Sequence, residues 1–221
     1  MTAPAQTTQQ TLFSADDVTF EYIAGKPILE GFSADFAPGT MTALTGPSGR
    51  GKSTLLYLLG LMLHPQAGEI RVNGESTARM NDAQRAHLRA EKFGFVFQDA
   101  ALDASRTVLD NVTETALYRG VPRHTVTPRA LELLDTFGVD VAPTRKPGQV
   151  SGGQAQRIAM CRALLNSPRI LLADEPTGNL DPATADLVVT ALHDHSRTGA
   201  AVIIVTHSPD IASVCDTEIR L

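Results

Sequence analysis

Several things are scarce in this 221-residue chain, and each scarcity removes a class of function. The longest apolar runs, Leu55 to Leu63 and Ala200 to Val205, fall far short of the roughly 20 residues a helix needs to span a bilayer. The chain is therefore not expected to cross a membrane alone. Lys and Arg are never gathered into a block, and the formal net charge is -5. Phosphate neutralisation along a nucleic acid needs clustered cations, so no nucleic-acid partner is expected and any phosphate site must be local. Two cysteines, Cys161 and Cys215, are too few for a disulfide framework and lack metal-ligand spacing; they read as packing residues in a reducing cytoplasm. No internal repeat is visible. Met1 to Thr11 has neither a basic start nor an apolar centre, so a secretory signal is not expected there and the stretch reads as a short disordered leader.

What remains has the length and the 43% apolar content for one sizeable domain, residues 12–221,. Phe13 to Tyr22 alternates roughly between apolar and polar. The pattern resumes from Gly31 to Phe36 after the Gly25-Lys26-Pro27 turn, which predicts antiparallel edge strands,. Met41 to Thr45 reads as a buried strand, followed at once by a glycine-rich loop and then a helix with Leu55, Leu56, Leu58, Leu59 and Met62 on one face, fading near His64-Pro65,. Gly68 to Asn73 predicts a strand, Asn81 to Lys92 a helix and Phe93 to Phe97 a strand. Thr107 to Gly138 carries two helical patterns broken around Gly120 to Pro128,. Ser151 to Leu165 predicts a helix, Ile170 to Ala173 a buried strand, Ala183 to His195 a helix and Ala201 to Thr206 a second buried strand. Strands alternating with helices imply a parallel α/β core.

The glycine-rich loop, Gly46-Pro47-Ser48-Gly49-Arg50-Gly51-Lys52-Ser53, matches the phosphate-loop pattern and lies between a strand and a helix as that chemistry requires. Glycines let backbone N–H groups close around phosphate oxygens. The helix N-terminus, extended through Thr54, adds a favourable dipole, Lys52 neutralises the β and γ phosphates, and the Ser53 hydroxyl suits Mg²⁺. Far along the chain, Asp174-Glu175 stands at the end of the apolar run Ile170 to Ala173, where open α/β sheets place their ligands. Asp174 suits a metal, and Glu175 suits the orientation or deprotonation of an attacking water. Standing alone, such a pair is more often a solvated turn; the preceding phosphate loop changes that reading. Ser151-Gly152-Gly153-Gln154 opens a helix with Ser151 as its N-cap,. It reads either as a capping turn or as a second anion contact.

In order as well as content, these motifs resemble the ABC ATPase family: the phosphate loop, Gln98, Ser151 to Gln154, Asp174-Glu175, Asn179-Leu180-Asp181 and His207 follow the family's sequence from Phe13 to Arg220. The resemblance implies an α/β fold, a P-loop NTPase core with an antiparallel β edge and an inserted helical subdomain at about residues 99–150. It also implies a head-to-tail homodimer in which ATP on one phosphate loop is capped by the other subunit's Ser151, Gly152, Gly153 and Gln154. Gln98 would contact Mg²⁺ and water, Asp181 would communicate across the dimer, His207 would meet the γ-phosphate, and Tyr22 would stack on adenine. Val150, Ala155 and Ser208 depart from the commonest family pattern without removing a catalytic group. Little follows the last predicted strand, so no regulatory C-terminal domain is expected.

Phe95-Val96-Phe97-Gln98 and the stretch from Leu171 to Asp181 look most like the group serving macrolide export, lipoprotein release, antimicrobial-peptide resistance, haem export and cell division. The resulting expectation is the ATP-hydrolysing subunit of an exporter of the macrolide, antimicrobial-peptide or haem type, driving a membrane permease on a separate chain from the cytoplasmic face of the membrane. The alternative is a lipoprotein-release motor or a cell-division regulator of the same group. A DNA-repair ATPase would carry a long coiled coil between Ser53 and Ser151, and no sustained heptads occur there,. A translation factor of the ABC type would need tandem cassettes.

Overall fold

The computed structural model describes residues 11–178 and 180–221. The expected leader, Thr11 apart, and Asn179 lie outside the described residues. Two sheets share the work of the core. Strands β1 (Phe13–Ile23), β2 (Lys26–Phe36), β4 (Ala67–Val72) and β5 (Glu75–Ser76) form an antiparallel sheet in the order β2-β1-β4-β5. Strands β3 (Met41–Thr45), β6 (Phe93–Val96), β7 (Ile170–Asp174), β8 (Ala201–Val205) and β9 (Thr217–Arg220) form a parallel sheet in the order β6-β7-β8-β3-β9. This is the expected α/β arrangement of a parallel core with an antiparallel edge.

Side chains alternate across a strand, so an unbroken apolar run is stable only where both faces of the sheet are covered. The strands β7 and β8 show this residue by residue. Ile170, Leu172, Ala201, Ile203 and Val205 pack on the side of helix α1 (Lys52–Leu59) and the antiparallel sheet. Leu171, Ala173, Val202 and Ile204 pack on the opposite side. That side is covered by α3 (Val108–Tyr118), α4 (Arg123–Thr136), α5 (Gly152–Leu164) and α6 (Pro182–Arg197). Each fully buried side chain of this size is worth about 1.5–3 kcal/mol relative to exposure.

Some elements differ from the sequence reading for physical reasons. β1 is not an edge: Phe13 pairs with Phe36 on one side and Val72 on the other, which leaves β2 as the true edge. β2 starts at Lys26 rather than Gly31, and it tolerates Pro27 because an edge strand has spare N–H positions,. α1 ends at Leu59, before His64-Pro65. Leu61 turns to φ 56°, and Arg85 and Arg89 of α2 (Asp82–Lys92) donate to its carbonyl at 3.2 and 2.7 Å. Met62 accordingly sits outside the buried face, 38% exposed. The break between α3 and α4 is confined to residues 119–122, and Pro128 lies inside α4. Short elements outside the sequence reading include β5, α7 (Pro209–Ser213) and β9, whose polar Thr-Glu-Ile-Arg sequence carries no strand signal. Cys161 is buried and Cys215 half-buried; both are free, and burial raises their thiols to about 12 and about 11.

β6 approaches α5 closely at Gly94. A Cβ there would stand 2.6 Å from the Ala163 carbonyl oxygen, 2.7 Å from Pro168 Cγ and 2.8 Å from Leu171 Cδ1. Since backbone oxygen cannot swing aside, Gly94→Ala is expected to lower stability by about 1–3 kcal/mol in urea unfolding; an unchanged midpoint would show that the β6–α5 spacing is adjustable.

Candidate active site

The phosphate loop runs from the C-terminal end of β3 to the N-terminus of α1, and its conformation needs glycine at Gly46, where a Cβ would stand 2.5 Å from the Leu221 carbonyl oxygen, and at Gly51. Gly51, the N-cap of α1, has φ 85°, and a Cβ on it would meet Ile28 Cγ2 at 2.5 Å. No side chain caps this helix and no acidic residue occupies its first turn. Its first N–H groups and the positive end of its dipole are thus left for an anion. Lys52 Nζ donates to the Gly46 and Pro47 carbonyls at 2.8 and 3.0 Å, which holds the ammonium against the loop.

At the neighbouring end of the sheet, β7 delivers Asp174 and Glu175 in different environments. Asp174 is buried, 3% exposed. Desolvation pushes its carboxyl above the ordinary value of 3.8, and the nearby Glu175 carboxylate adds to that, while the Ser53 hydroxyl and the Lys52 ammonium pull the other way. Glu175 adopts φ 47°, a left-handed conformation that costs a side-chain-bearing residue about 1–3 kcal/mol. It is held there by its N–H to the Val205 carbonyl at 2.9 Å and by the Gly178 N–H to its own carbonyl at 3.2 Å. Its carboxylate accepts from His207 Nδ1 at 2.7 Å and from Thr206 Oγ1 at 3.4 Å.

These groups meet in one open cleft of about 660 Å³, lined by Ser48, Gly49, Gly51, Lys52, Ser53, Thr54, Gln98, Asp174, Glu175 and His207 together with Ile28 and Val205. Gly46 and Pro47 line an adjoining depression with Thr206 and His207. Tyr22 stands at the rim, 60% exposed, with its hydroxyl 3.5 Å from Thr54 Oγ1 and its ring packed edge-on against Phe20. Arg50 points to the exposed side of the loop. Residues 151–154 and Asp181 do not line this cleft. Ser151 and Gln154 form a reciprocal cap, Ser151 Oγ accepting from the Gln154 N–H at 3.2 Å and Gln154 Oε1 from the Ser151 N–H at 2.9 Å. Asp181 caps α6 by accepting from the Thr184 N–H at 3.1 Å. The capping reading of Ser151 is thus present, and Asp181, read from the resemblance only as a contact across the dimer, also caps a helix.

Two residues of the site were missed from sequence. Ile28 closes the cleft against Gly51, and only the turn of β2 back toward the loop brings it there. Thr206 holds Glu175 and also accepts from the Ser208 N–H at 3.1 Å; a polar residue closing an apolar strand was its only signal.

A family model described as "ABC transporter" matches residues 29–178. The chain belongs to the ABC transporter family. It is similar to the lipoprotein-releasing system ATP-binding protein LolD 1 of Rhodospirillum rubrum, 43% identical over 96% of this chain and 96% of that one. It is also similar to the macrolide export ATP-binding/permease protein MacB of Marinobacter nauticus, 39% identical over 95% of this chain but only 33% of that longer protein. Among solved structures, it superposes with a TM-score of 0.88 on a dimeric ATP-binding cassette in a post-hydrolysis state bound to ADP and Pi. The two are 32% identical, over 95% of this chain and 94% of the other. This ABC cassette therefore binds and hydrolyses ATP, and it shares its fold with cassettes that are dimeric when crystallised.

Burying the Asp174 carboxylate in the ABC cassette has a price in stability. Its folded value is raised, so the native state holds more protons than the unfolded one between 3.8 and that raised value, and stability falls as pH rises through this window,. Asp174→Asn removes the penalty. The nucleotide-free variant is expected to melt about 2–4 °C above wild type at pH 7, with the difference closing as pH falls to the ordinary value of 3.8. A pH-independent difference in scanning calorimetry would refute the desolvation account.

Proposed function

We propose that this chain is the ATP-hydrolysing subunit of a lipoprotein-releasing system, driving a permease carried on a separate chain. The observation that carries this reading is the 43% identity to a lipoprotein-releasing ATP-binding protein, sustained over 96% of both chains. The sequence alone favours an exporter of the macrolide, antimicrobial-peptide or haem type, with a lipoprotein-release motor or cell-division regulator as the alternative, and the relatives support lipoprotein release better. The 39% identity to a macrolide-export protein keeps export as the reading to be tested against.

In the proposed mechanism the backbone N–H groups of the Gly46 to Thr54 loop, Pro47 apart, cradle the phosphates, Lys52 turns from the loop carbonyls to the β and γ phosphates, and Tyr22 stacks on adenine. Ser53, Gln98 and Asp174 are the oxygen donors suited to Mg²⁺. The buried carboxyl of Asp174 beside the Ser53 hydroxyl fits a hard cation that would relieve its desolvation,. When bound, the metal neutralises charge on the β and γ phosphate oxygens. Glu175, aimed by His207 and Thr206, orients a water and takes its proton as the water oxygen bonds to the γ phosphorus and the bridging oxygen leaves with ADP. His207 then also meets the γ-phosphate. Because the Ser151 to Gln154 turn and Asp181 lie away from their own cleft, they are read as the surfaces offered to a second cassette's ATP. One chain is then half of a complete site.

Residues 12–221 act in this reading as one cassette, with residues 99–150 as its helical subdomain. No helix of the described residues is long and apolar enough to cross a membrane, so the motor is read as peripheral, on the cytoplasmic face. The surface best suited to the permease is an apolar groove of about 650 Å³ whose walls include Met62, Phe93, Phe95 and Tyr118.

Glu175→Gln keeps size and nucleotide contacts while removing the base, so it is expected to cut turnover by about 100-fold or more while ATP stays bound and dimers accumulate on gel filtration. Near-normal ATPase in this variant would remove Glu175 from the mechanism. For the cargo, detergent extraction of the tagged chain followed by mass spectrometry is expected to recover a permease. Depleting the chain is expected to leave lipoproteins in the inner membrane with drug efflux unaltered; the reverse pattern would favour export.

A further inference from the structure

Gln98 sits on a tight turn, residues 97–101, that forms a wall between two concavities. Gln98 lines the nucleotide cleft with Ser53 and Asp174, and Phe97 and Ala101 line both that side and the apolar groove behind it. The turn is awkward backbone: Ala100 and Ala101 have φ 62° and 45°, and neither is a residue that favours the left-handed region. The Ala100 N–H to the Phe97 carbonyl, at 3.1 Å, is its internal bond.

Outside support comes from α5. Gln156, 2% exposed, donates from Nε2 to the Phe97 carbonyl at 3.3 Å. Arg162, 7% exposed, donates from Nη1 to the Ala101 carbonyl at 2.6 Å and from Nη2 to the Ala100 carbonyl at 2.8 Å. Among the described residues no carboxylate forms an ion pair with Arg162. Its nearest acidic groups, Glu114, Tyr118 and Asp99, act at longer range. A buried guanidinium that lacks a paired carboxylate depends on the hydrogen bonds it does make, so the two carbonyls and the arginine hold each other in place. Both ends of the Gln98 turn are gripped by one helix, the same helix whose first turn begins at Ser151. Arg162 also lines the groove, so whatever fills the groove touches the grip itself.

We propose that Arg162 and Gln156 are positioning residues for hydrolysis: by holding the Phe97, Ala100 and Ala101 carbonyls they set where Gln98 stands in the nucleotide cleft. The inference rests on the reading of Gln98 as a hydrolysis residue. It assigns to the middle of α5 a part in turnover separate from the capping turn at its start.

The test is a double-mutant cycle on the full chain. Arg162→Lys keeps the charge, but a single ammonium cannot reproduce the planar fork across two carbonyls. It is expected to lower kcat by roughly tenfold or more, as a small misplacement of a catalytic group does, with ATP affinity measured by fluorescent nucleotide unchanged. In a Gln98→Ala background the same substitution is expected to cost nothing further, because there is no longer a side chain to misplace. Wild-type kcat in Arg162→Lys, or losses that multiply with Gln98→Ala, would overturn the proposal. If Gln98→Ala by itself leaves kcat untouched, the reading of Gln98 falls, and the inference with it. Should Arg162→Lys fail to fold by calorimetry, Gln156→Met removes the other donor and must show the same non-additive pattern.

Discussion

The structure depends on burial of the parallel sheet on both faces. Side chains of β7 and β8 alternate between two apolar layers, so no polar group can leave these strands sideways. Polar function is displaced to the strand ends, and three of them supply the site: β3 runs into the phosphate loop, β7 into Asp174 and Glu175, β8 into Thr206 and His207. The same burial that stabilises the sheet desolvates Asp174 and raises its carboxyl.

The site is built from small backbone departures that the packed core can hold. Gly51 turns into the left-handed region under Ile28, and Glu175 does so without glycine's freedom, retained by main-chain bonds to β8 and to Gly178. The 97–101 turn is a third departure, and here the support is a side-chain grip from α5. Each depends on an element remote in sequence.

Much of the core was legible because its signals are local or strictly periodic. The apolar runs of β7 and β8 and the mostly apolar Met41 to Thr45 declared buried strands, and Ser151 declared an N-cap. The misreadings fall where tertiary contact overrides local signal. Pro27 is a turn residue in isolation, yet an edge strand accommodates it; α1 ends early because Arg85 and Arg89 take up the carbonyl of Leu61; β9 is polar and forms only because β3 offers it an unpaired edge.

The order of the glycine loop, the acidic pair and the Ser151 turn was enough, by itself, to identify an ATP-binding cassette, since each motif carries its chemistry within a few adjacent residues. The choice between export and lipoprotein release rests on the relatives rather than on any motif within the chain. Only the tertiary structure decided that Thr206 aims Glu175, that Ile28 closes the loop, and that Arg162 and Gln156 grip the turn bearing Gln98. The hydrogen bonds among those contacts join residues 31 to 62 positions apart, and contacts at such separations follow from chain topology, which no short window of sequence contains.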